Sequence, residues 1–379
     1  MRKLTAPALL RATLAIVALA AAASAQVPGD ARGALANFPD SQAVLHVDAR
    51  RIMSDALPGL LPKAEYDKLI AESRKVGFDV REVHSLTAGI RFAEGAQPGA
   101  FPEVLLVMRG DFSADALLAL ARLAVGTQNI PVSEETYAGR TIQVFDISAV
   151  GRGGASAAPP ADGAAPTAEA AKPRPLPFKE VAAAALDAHT LAVGVPGYVR
   201  AAVDAANGQG RLRASLVDLA ARDPQALWSL TAELPENMSE HIQRLGLPRN
   251  EELNRVVGWL RQVSFSNGLD ALNLTMRAAV LADSPDHANA LSGLVRMGLT
   301  AAESAAQRDI ERKRAKPAES RQSRMALQAI RTFVNRTEGN TVVLGVSIPR
   351  AALAEFIKQE FARKPAPRAR GRRPARRRR

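Results

Sequence analysis

Apolar and polar residues alternate with period two along much of the chain, between stretches of helical spacing. The first alternating run, Ala43 to Asp48, follows Phe38-Pro39-Asp40 and predicts a strand with Val44, His46 and Asp48 on one face. Residues 50–75 have a helical pattern that Pro58 and Pro62 divide. Strands are predicted over Val83–Phe92 and, as a buried type, over Val104–Met108. Ser113 is placed to cap a helix running through Val125, with Asp115 in its first turn. Tyr137-Ala138-Gly139 turns into a strand, Thr141–Ile147. Val181–Leu186 and Thr190–Val195 read as a hairpin closed at Asp187-Ala188-His189, and a helix from Pro196 stops at Gly208.

The second half follows the same order. A strand at Leu227–Glu233 precedes a helix over about Asn250–Arg261. Val263–Phe265 and Leu272–Val280 flank Asn267-Gly268, a hairpin signal. Asp283-Ser284-Pro285 opens a helix running past Ala301. A second helix, Met325–Phe333, leads to a strand, Thr341–Ile348, and a closing helix from Pro349 to Phe361. Both halves, 38–208 and 215–361, thus read strand, helix, strand, strand, helix, strand. The expected fold class is α+β: two similar halves of β-α-β-β-α-β order, the ferredoxin-like type, with antiparallel or mixed sheets.

Three segments break this pattern. Arg2, Lys3 and Arg11, the apolar run Ala12–Ala23 and the small-x-small site Ala23-Ser24-Ala25 have the three parts of a secretory signal peptide, residues 1–25. The run is shorter than a bilayer-spanning helix needs, and no later run is long enough, so no transmembrane span is expected in the mature chain. Residues 151–177 hold nineteen Ala, Pro or Gly in 27 positions, too little apolar surface to offset ordering, and predict a disordered insertion within the first half. Residues 362–379 form an Arg-rich tail, expected to be disordered, carrying Arg363, Lys364, Arg368, Arg370, Arg372, Arg373, Arg376, Arg377, Arg378 and Arg379. These ten cations and the three of the leader account for more than the whole net charge of +12; the remainder sums to −1. A folded nucleic-acid-binding face is therefore not expected, and the tail is the candidate anion-binding segment, toward anionic envelope polymers or lipid headgroups.

Four short patterns accompany these elements: Pro39-x-x-x-x-Val44-x-x-Val47-Asp48, Arg109-Gly110-Asp111-Phe112, Tyr137-x-Gly139, and Ala185-Leu186-Asp187-x-x-Thr190-Leu191-x-x-Gly194. In them the chain, over residues 38–348, resembles certain bacterial exported proteins of unknown function. The resemblance implies export and the fold, and it implies no activity.

Candidate chemistry is sparse. With no cysteine there is no disulfide, thiolate metal site or cysteine nucleophile. His46 and Asp48 have a spacing that presents two ligands on one strand face, with no third nominated. Gly-x-Ser-x-Gly is absent, and Gly151-Arg152-Gly153-Gly154 lacks a helix N-terminus to cradle phosphate. Trp228 and Trp259 sit in apolar patterns that predict core packing. No cofactor is implied. The expectation is a non-catalytic protein, periplasmic or secreted, acting as a binding or structural module of the cell envelope. The alternative is an exported hydrolase, which would show a polar cleft of ionisable groups around Asp48 and Asp111.

Overall fold

The computed structural model describes residues 31–75, 77–92, 101–127, 130–148, 178–234, 251–314 and 321–362. The expected leader, the insertion and the tail cations from Arg363 onward lie outside the described residues. The strands are β1 (Ala43–Val47), β2 (Val83–Arg91), β3 (Glu103–Gly110), β4 (Val132–Tyr137), β5 (Arg140–Asp146), β6 (Glu180–Asp187) and β7 (Thr190–Gly194), then β8 (Ala226–Glu233), β9 (Leu260–Leu269), β10 (Asn273–Ala282), β11 (Val334–Glu338) and β12 (Thr341–Pro349). They form one twelve-stranded sheet in the order β11-β12-β10-β9-β8-β1-β2-β3-β7-β6-β5-β4, every neighbouring pair antiparallel. The fold is α+β with a single antiparallel sheet. The split β-α-β order is absent here, because β1 and β2 are direct antiparallel neighbours. In the ferredoxin-like order those strands run parallel with another between them.

The helices are α1 (Ala31–Ala36), α2 (Ala49–Arg51 continued by a π-helical turn Ile52–Ala56 and Leu57–Leu60), α3 (Lys63–Lys75), α4 (Ala114–Gly126), α5 (Pro196–Ala206), α6 (Ala214–Ala220), α7 (Glu251–Gly258), α8 (Pro285–Arg312), α9 (Arg321–Arg331) and α10 (Arg350–Ala362). Pro58 does not break α2 as its sequence suggests. The π turn just before it shifts the hydrogen bonding, with Leu57 N–H donating to Ile52 O, so the missing proline donor is accommodated. Ser113 and Ser284 cap α4 and α8 as expected, accepting from Ala116 N–H and His287 N–H. The Asn267-Gly268 turn is overturned. Both residues lie inside β9, opposite Met276 and Thr275, and the turn is made instead by Asp270, whose Oδ1 accepts Leu272 N–H at 2.7 Å and Asn273 N–H at 2.6 Å. Gly268 is needed there because a Cβ would lie 2.9 Å from Gln225 O.

The two faces of the sheet are packed differently. On the face carrying Val44 and His46, helices α1, α5 and α6 enclose a core of Leu35, Phe38, Leu105, Tyr198, Val199 and Leu216. On the opposite face, α4 covers β5, β6 and β7 through Phe112, Leu118, Phe145, Ala183 and Leu191. At the end of that face α2 and α10 pack on Leu227, Leu269 and Leu274. α8 packs on β10 and β12 through Ala282, Ala288 and Val342.

The link from α3 to β2 is tied by one carboxylate. Asp79 accepts Arg81 N–H and Nε at 3.0 and 2.9 Å and Arg74 Nε and Nη2 at 3.0 and 2.9 Å. Arg81 above all, and then Arg74, hold its carboxyl well below the usual range. A depressed carboxyl stabilises the fold above its unfolded value near 4 and loses that contribution as pH falls. Asp79→Asn is therefore expected to lose about 1 kcal/mol at pH 7 and a smaller part of that near pH 2, by urea unfolding at the two pH values. An equal deficit at both would mean the charge is immaterial.

Candidate functional site

His46 and Asp48 share a strand face as the alternation predicts, and both are buried. His46 Nδ1 lies 3.0 Å from Thr87 Oγ1 across the β1–β2 pair. Asp48 caps α2, accepting Arg51 N–H at 3.0 Å, and pairs with the buried Arg51 guanidinium at 3.9 Å. Arg51 then spans to Gln225 Oε1 and Ala226 O, both at 3.3 Å. These residues lock the end of β1 to the start of β8. Among the described residues no group of three or more His, Asp or Glu is placed to hold a metal ion.

Asp111 stands on the same end of the sheet but on the surface. Its Oδ2 lies 2.7 Å from His84 Nε2 and accepts Arg50 Nη2 at 3.0 Å, while Arg50 also meets His84. The His84 hydrogen bond, and then Arg50, pull the Asp111 carboxyl below its ordinary range. Asp48 and Asp111 thus have separate partners, one buried and one exposed, and do not converge on a cleft. The Arg109-Gly110-Asp111-Phe112 pattern is structural: a Cβ on Gly110 would collide with Glu82 O, whose oxygen accepts Asp111 N–H at 2.7 Å. Gly110 N–H and Ala114 N–H donate to His189 O and Ala188 O, so this pattern and the Asp187–Thr190 turn brace each other.

The most unusual feature is the face opposite His46. The ladder registers define three rows across β3, β2, β1, β8, β9 and β10. The first is Val104, Ile90, Ala43, Ala232, Val263, Val280; the second is Leu106, Ala88, Leu45, Leu230, Phe265, Ala278; the third is Met108, Leu86, Val47, Trp228, Asn267, Met276. Asn267 is the one polar position. Helices α2, α4 and α10 engage residues of the third row, and α8 packs on Val280 of the first. Over the middle strands the packed helices among the described residues are α1, α5 and α6, on the other face, together with the first turn of α2 at the strand ends. Ile90, Val104, Leu106, Phe265 and Met276 are accordingly 39–44% exposed.

An antiparallel sheet with one solvated face ordinarily turns its polar residues outward. Here the hydroxyl-bearing side, Thr87, Ser229, Thr231 and Ser264, is buried, and among the described residues the first two rows of the aliphatic side are largely open. Six strands and three rows span on the order of 24 by 14 Å. The third row lies under helices, and the two open rows form a contiguous apolar patch in the size range of the largest on ordinary monomers, which are often functional. The sequence shows the alternation of each strand; it does not say which face the helices take.

On the buried-hydroxyl side, beyond α6, a cleft of about 610 Å³ crosses β9, β10, β12 and β11. Its arginines are engaged, Arg277 with Asp223 at 3.4 Å and Arg336 with Glu338 at 2.8 Å. Trp228 packs with the α2 core as predicted; Trp259 differs, stacking on His287 with ring centroids 4.4 Å apart.

No family model matches the chain, and no curated protein does. Among solved structures it is similar to crystal forms of TP0453, a protein of Treponema pallidum. Form III has 8% identity and a TM-score of 0.38, covering 89% of this chain and 99% of that one. Form IV has 10% identity and a TM-score of 0.39, covering 88% and 97%. Form I has 10% identity and a TM-score of 0.35, covering 89% and 98%. Likeness at this level does not bear on activity.

Proposed function

We propose that the protein is an exported, non-catalytic binding module of the cell envelope that takes lipid acyl chains on the open apolar face of its middle strands. The observation that carries this reading is the inverted sheet: an almost unbroken apolar floor whose first two rows the described helices leave largely uncovered, where a solvated face would be polar. Acyl chains suit it because, apart from Asn267 and the Trp228 indole N–H, the floor offers no side-chain hydrogen-bonding group, and chains need none. The Arg-rich tail would meet anionic headgroups, and the leader supports export. No described helix is long and apolar enough to cross a membrane, so the attachment proposed is a surface one. The two halves are further read as copies of one unit. The neighbour order β1-β2-β3-β7-β6 matches β8-β9-β10-β12-β11, with the β4–β5 hairpin as an addition to the first.

The test is co-sedimentation of the mature chain with phosphatidylcholine vesicles at high salt, where the tail is screened. Wild type is expected to bind. Phe265→Asp and Leu106→Asp, each placing a carboxylate on the floor at an already exposed position, are expected to bind at least about tenfold more weakly with unchanged thermal midpoints. Wild-type binding by both variants would overturn the reading.

A further inference from the structure

The helix α8 that borders the apolar floor also forms one wall of a cleft of about 610 Å³ against α7 and the Trp259 that follows it. Its apolar sides are Val256 and Trp259 from the α7 end and Leu294 and Met297 from α8. Met297 is 64% exposed and Leu294 41%, unusual for large side chains facing a concave surface. One arginine from each helix, Arg255 and Arg296, completes the lining. Both are exposed, and among the described residues neither has a carboxylate partner. Arg277 and Arg336, in the comparable cleft on the other face, are paired.

The apolar wall is held in place from behind. Asp283 Oδ1 meets His287 Nδ1 at 2.5 Å, and the imidazole stacks on the Trp259 indole with 10° between the planes. Trp259 N–H donates to Val256 O at 3.2 Å and Asp283 N–H to Trp259 O at 2.8 Å. The indole is thus fixed by its own backbone and by a stacked ring, as a preformed surface rather than a loose side chain. The cleft also joins the open floor through the chain itself, since Trp259 leads directly into the strand that carries Val263 and Phe265.

We propose that this cleft between α7 and α8 binds a long-chain fatty acid, its carboxylate held by Arg255 and Arg296 and its chain laid along Trp259, Leu294 and Met297. The proposal rests on the reading of the protein as a binder of acyl chains and names the ligand and its polar anchor. Two guanidinium forks match one carboxylate, because each presents paired donors in the plane that carboxylate oxygens accept. The chain needs only the apolar contact that the remaining walls provide, and the volume lies in the range of small-molecule sites. A purely apolar guest would leave both guanidiniums without an anion, and a hydrophilic anion would leave Leu294 and Met297 in water. An amphiphile with one chain and one carboxylate satisfies both halves of the lining.

The experiment uses the full mature chain with Trp228→Phe, which leaves Trp259 as the single tryptophan, and titrates palmitate below its micellar concentration. Calorimetry on the unsubstituted chain provides a second measurement if that variant folds poorly. Palmitate is expected to change Trp259 fluorescence with one site per chain. Arg255→Gln with Arg296→Gln is expected to weaken it about tenfold or more, to the level at which hexadecanol binds the unsubstituted chain. Equal palmitate affinity with and without the two arginines, or equal affinity for palmitate and hexadecanol, would overturn the anchor. If the arginine variant binds palmitate normally while Phe265→Asp abolishes uptake, the ligand lies on the open floor; the cleft is then wrong and the broader reading stands. Uptake lost only in the arginine variant, with vesicle binding unaffected by Phe265→Asp, would support the cleft and remove the floor. No palmitate uptake by any form would remove the cleft, and the floor would then stand or fall with vesicle binding.

Discussion

Truncation of Tyr198 to alanine is expected to destabilise the protein by roughly 3–5 kcal/mol, lowering its thermal midpoint by on the order of 10 °C. The ring is fully buried at the centre of the largest core, between α5 and the sheet. Gly89 on β2 makes room for it, since a Cβ there would lie 2.6 Å from the phenol oxygen and 2.5 Å from Phe38. The phenol donates to Ser41 Oγ at 2.5 Å while Ser41 donates to Pro39 O at 2.8 Å, which ties the segment before β1 to α5. Arg91 sits 4.2 Å over the ring and is held by Glu103 at 2.5 Å. Tyr198→Phe keeps the packing and removes the hydroxyl, so about 1 kcal/mol is expected at pH 8.

The two substitutions separate again in alkali. Burial pushes the Tyr198 phenol up to about 12, whereas in the unfolded chain it ionises near 10. Stability is therefore full below pH 10 and falls as pH rises toward 12, because the unfolded state loses its proton first. The whole effect amounts to about 2–3 kcal/mol. Tyr137, raised by the Asp204 hydrogen bond, adds a further alkaline component in wild type and variant alike. Urea unfolding at pH 8 and pH 11 is expected to show the Phe variant losing less stability than wild type across the interval. Identical losses would mean that the hydroxyl is solvated in the native state.

What the sequence made legible follows from which residues carry a pattern. Strands β1, β2, β3, β5, β6, β7, β8 and β12 lie where alternation placed them, α4 and α8 begin at their capping serines, and α5 begins at Pro196 as expected. The two strands that escaped, β4 and β11, are the two edges of the sheet. Their sequences, Val-Ser-Glu-Glu-Thr-Tyr and Val-Asn-Arg-Thr-Glu, are polar enough to discourage pairing with another chain, and that same polarity hides them from a reading based on apolar alternation. The Asn-Gly signal failed because β8 approaches Gly268 closely, a long-range demand that no local pattern reports. The apolar floor was concealed differently. Each strand displayed its aliphatic side, but which side the helices cover is decided by α1, α5 and α6 packing onto Val44, Leu105 and the rings of Phe38 and Tyr198. Charge at the α7–α8 cleft was equally invisible, since Arg255 and Arg296 are 41 residues apart and line one cleft only through the placement of two helices.

The largest effect on binding is expected from the tail. Ten of the chain's cations fall within residues 363–379, and the body between leader and tail sums to −1, so attraction to a polyanion should reside in that segment. A polycation binds by releasing condensed counterions, and engagement of six or more phosphates loses on the order of a thousandfold in affinity between 50 and 200 mM salt. Removal of residues 363–379 is expected to abolish binding to heparin and duplex DNA at low salt and to flatten the salt slope. Because the tail has no aromatic residue to stack on bases or sugars, the intact chain should not discriminate between the two polymers. Anionic vesicles should behave in two parts: a salt-sensitive part that disappears with the tail, and a salt-resistant part that persists without it and disappears in Phe265→Asp. A truncated chain that still held heparin or DNA tightly would place an anion site on the folded body. A truncated chain that lost all vesicle binding would instead leave the apolar floor without an acyl partner.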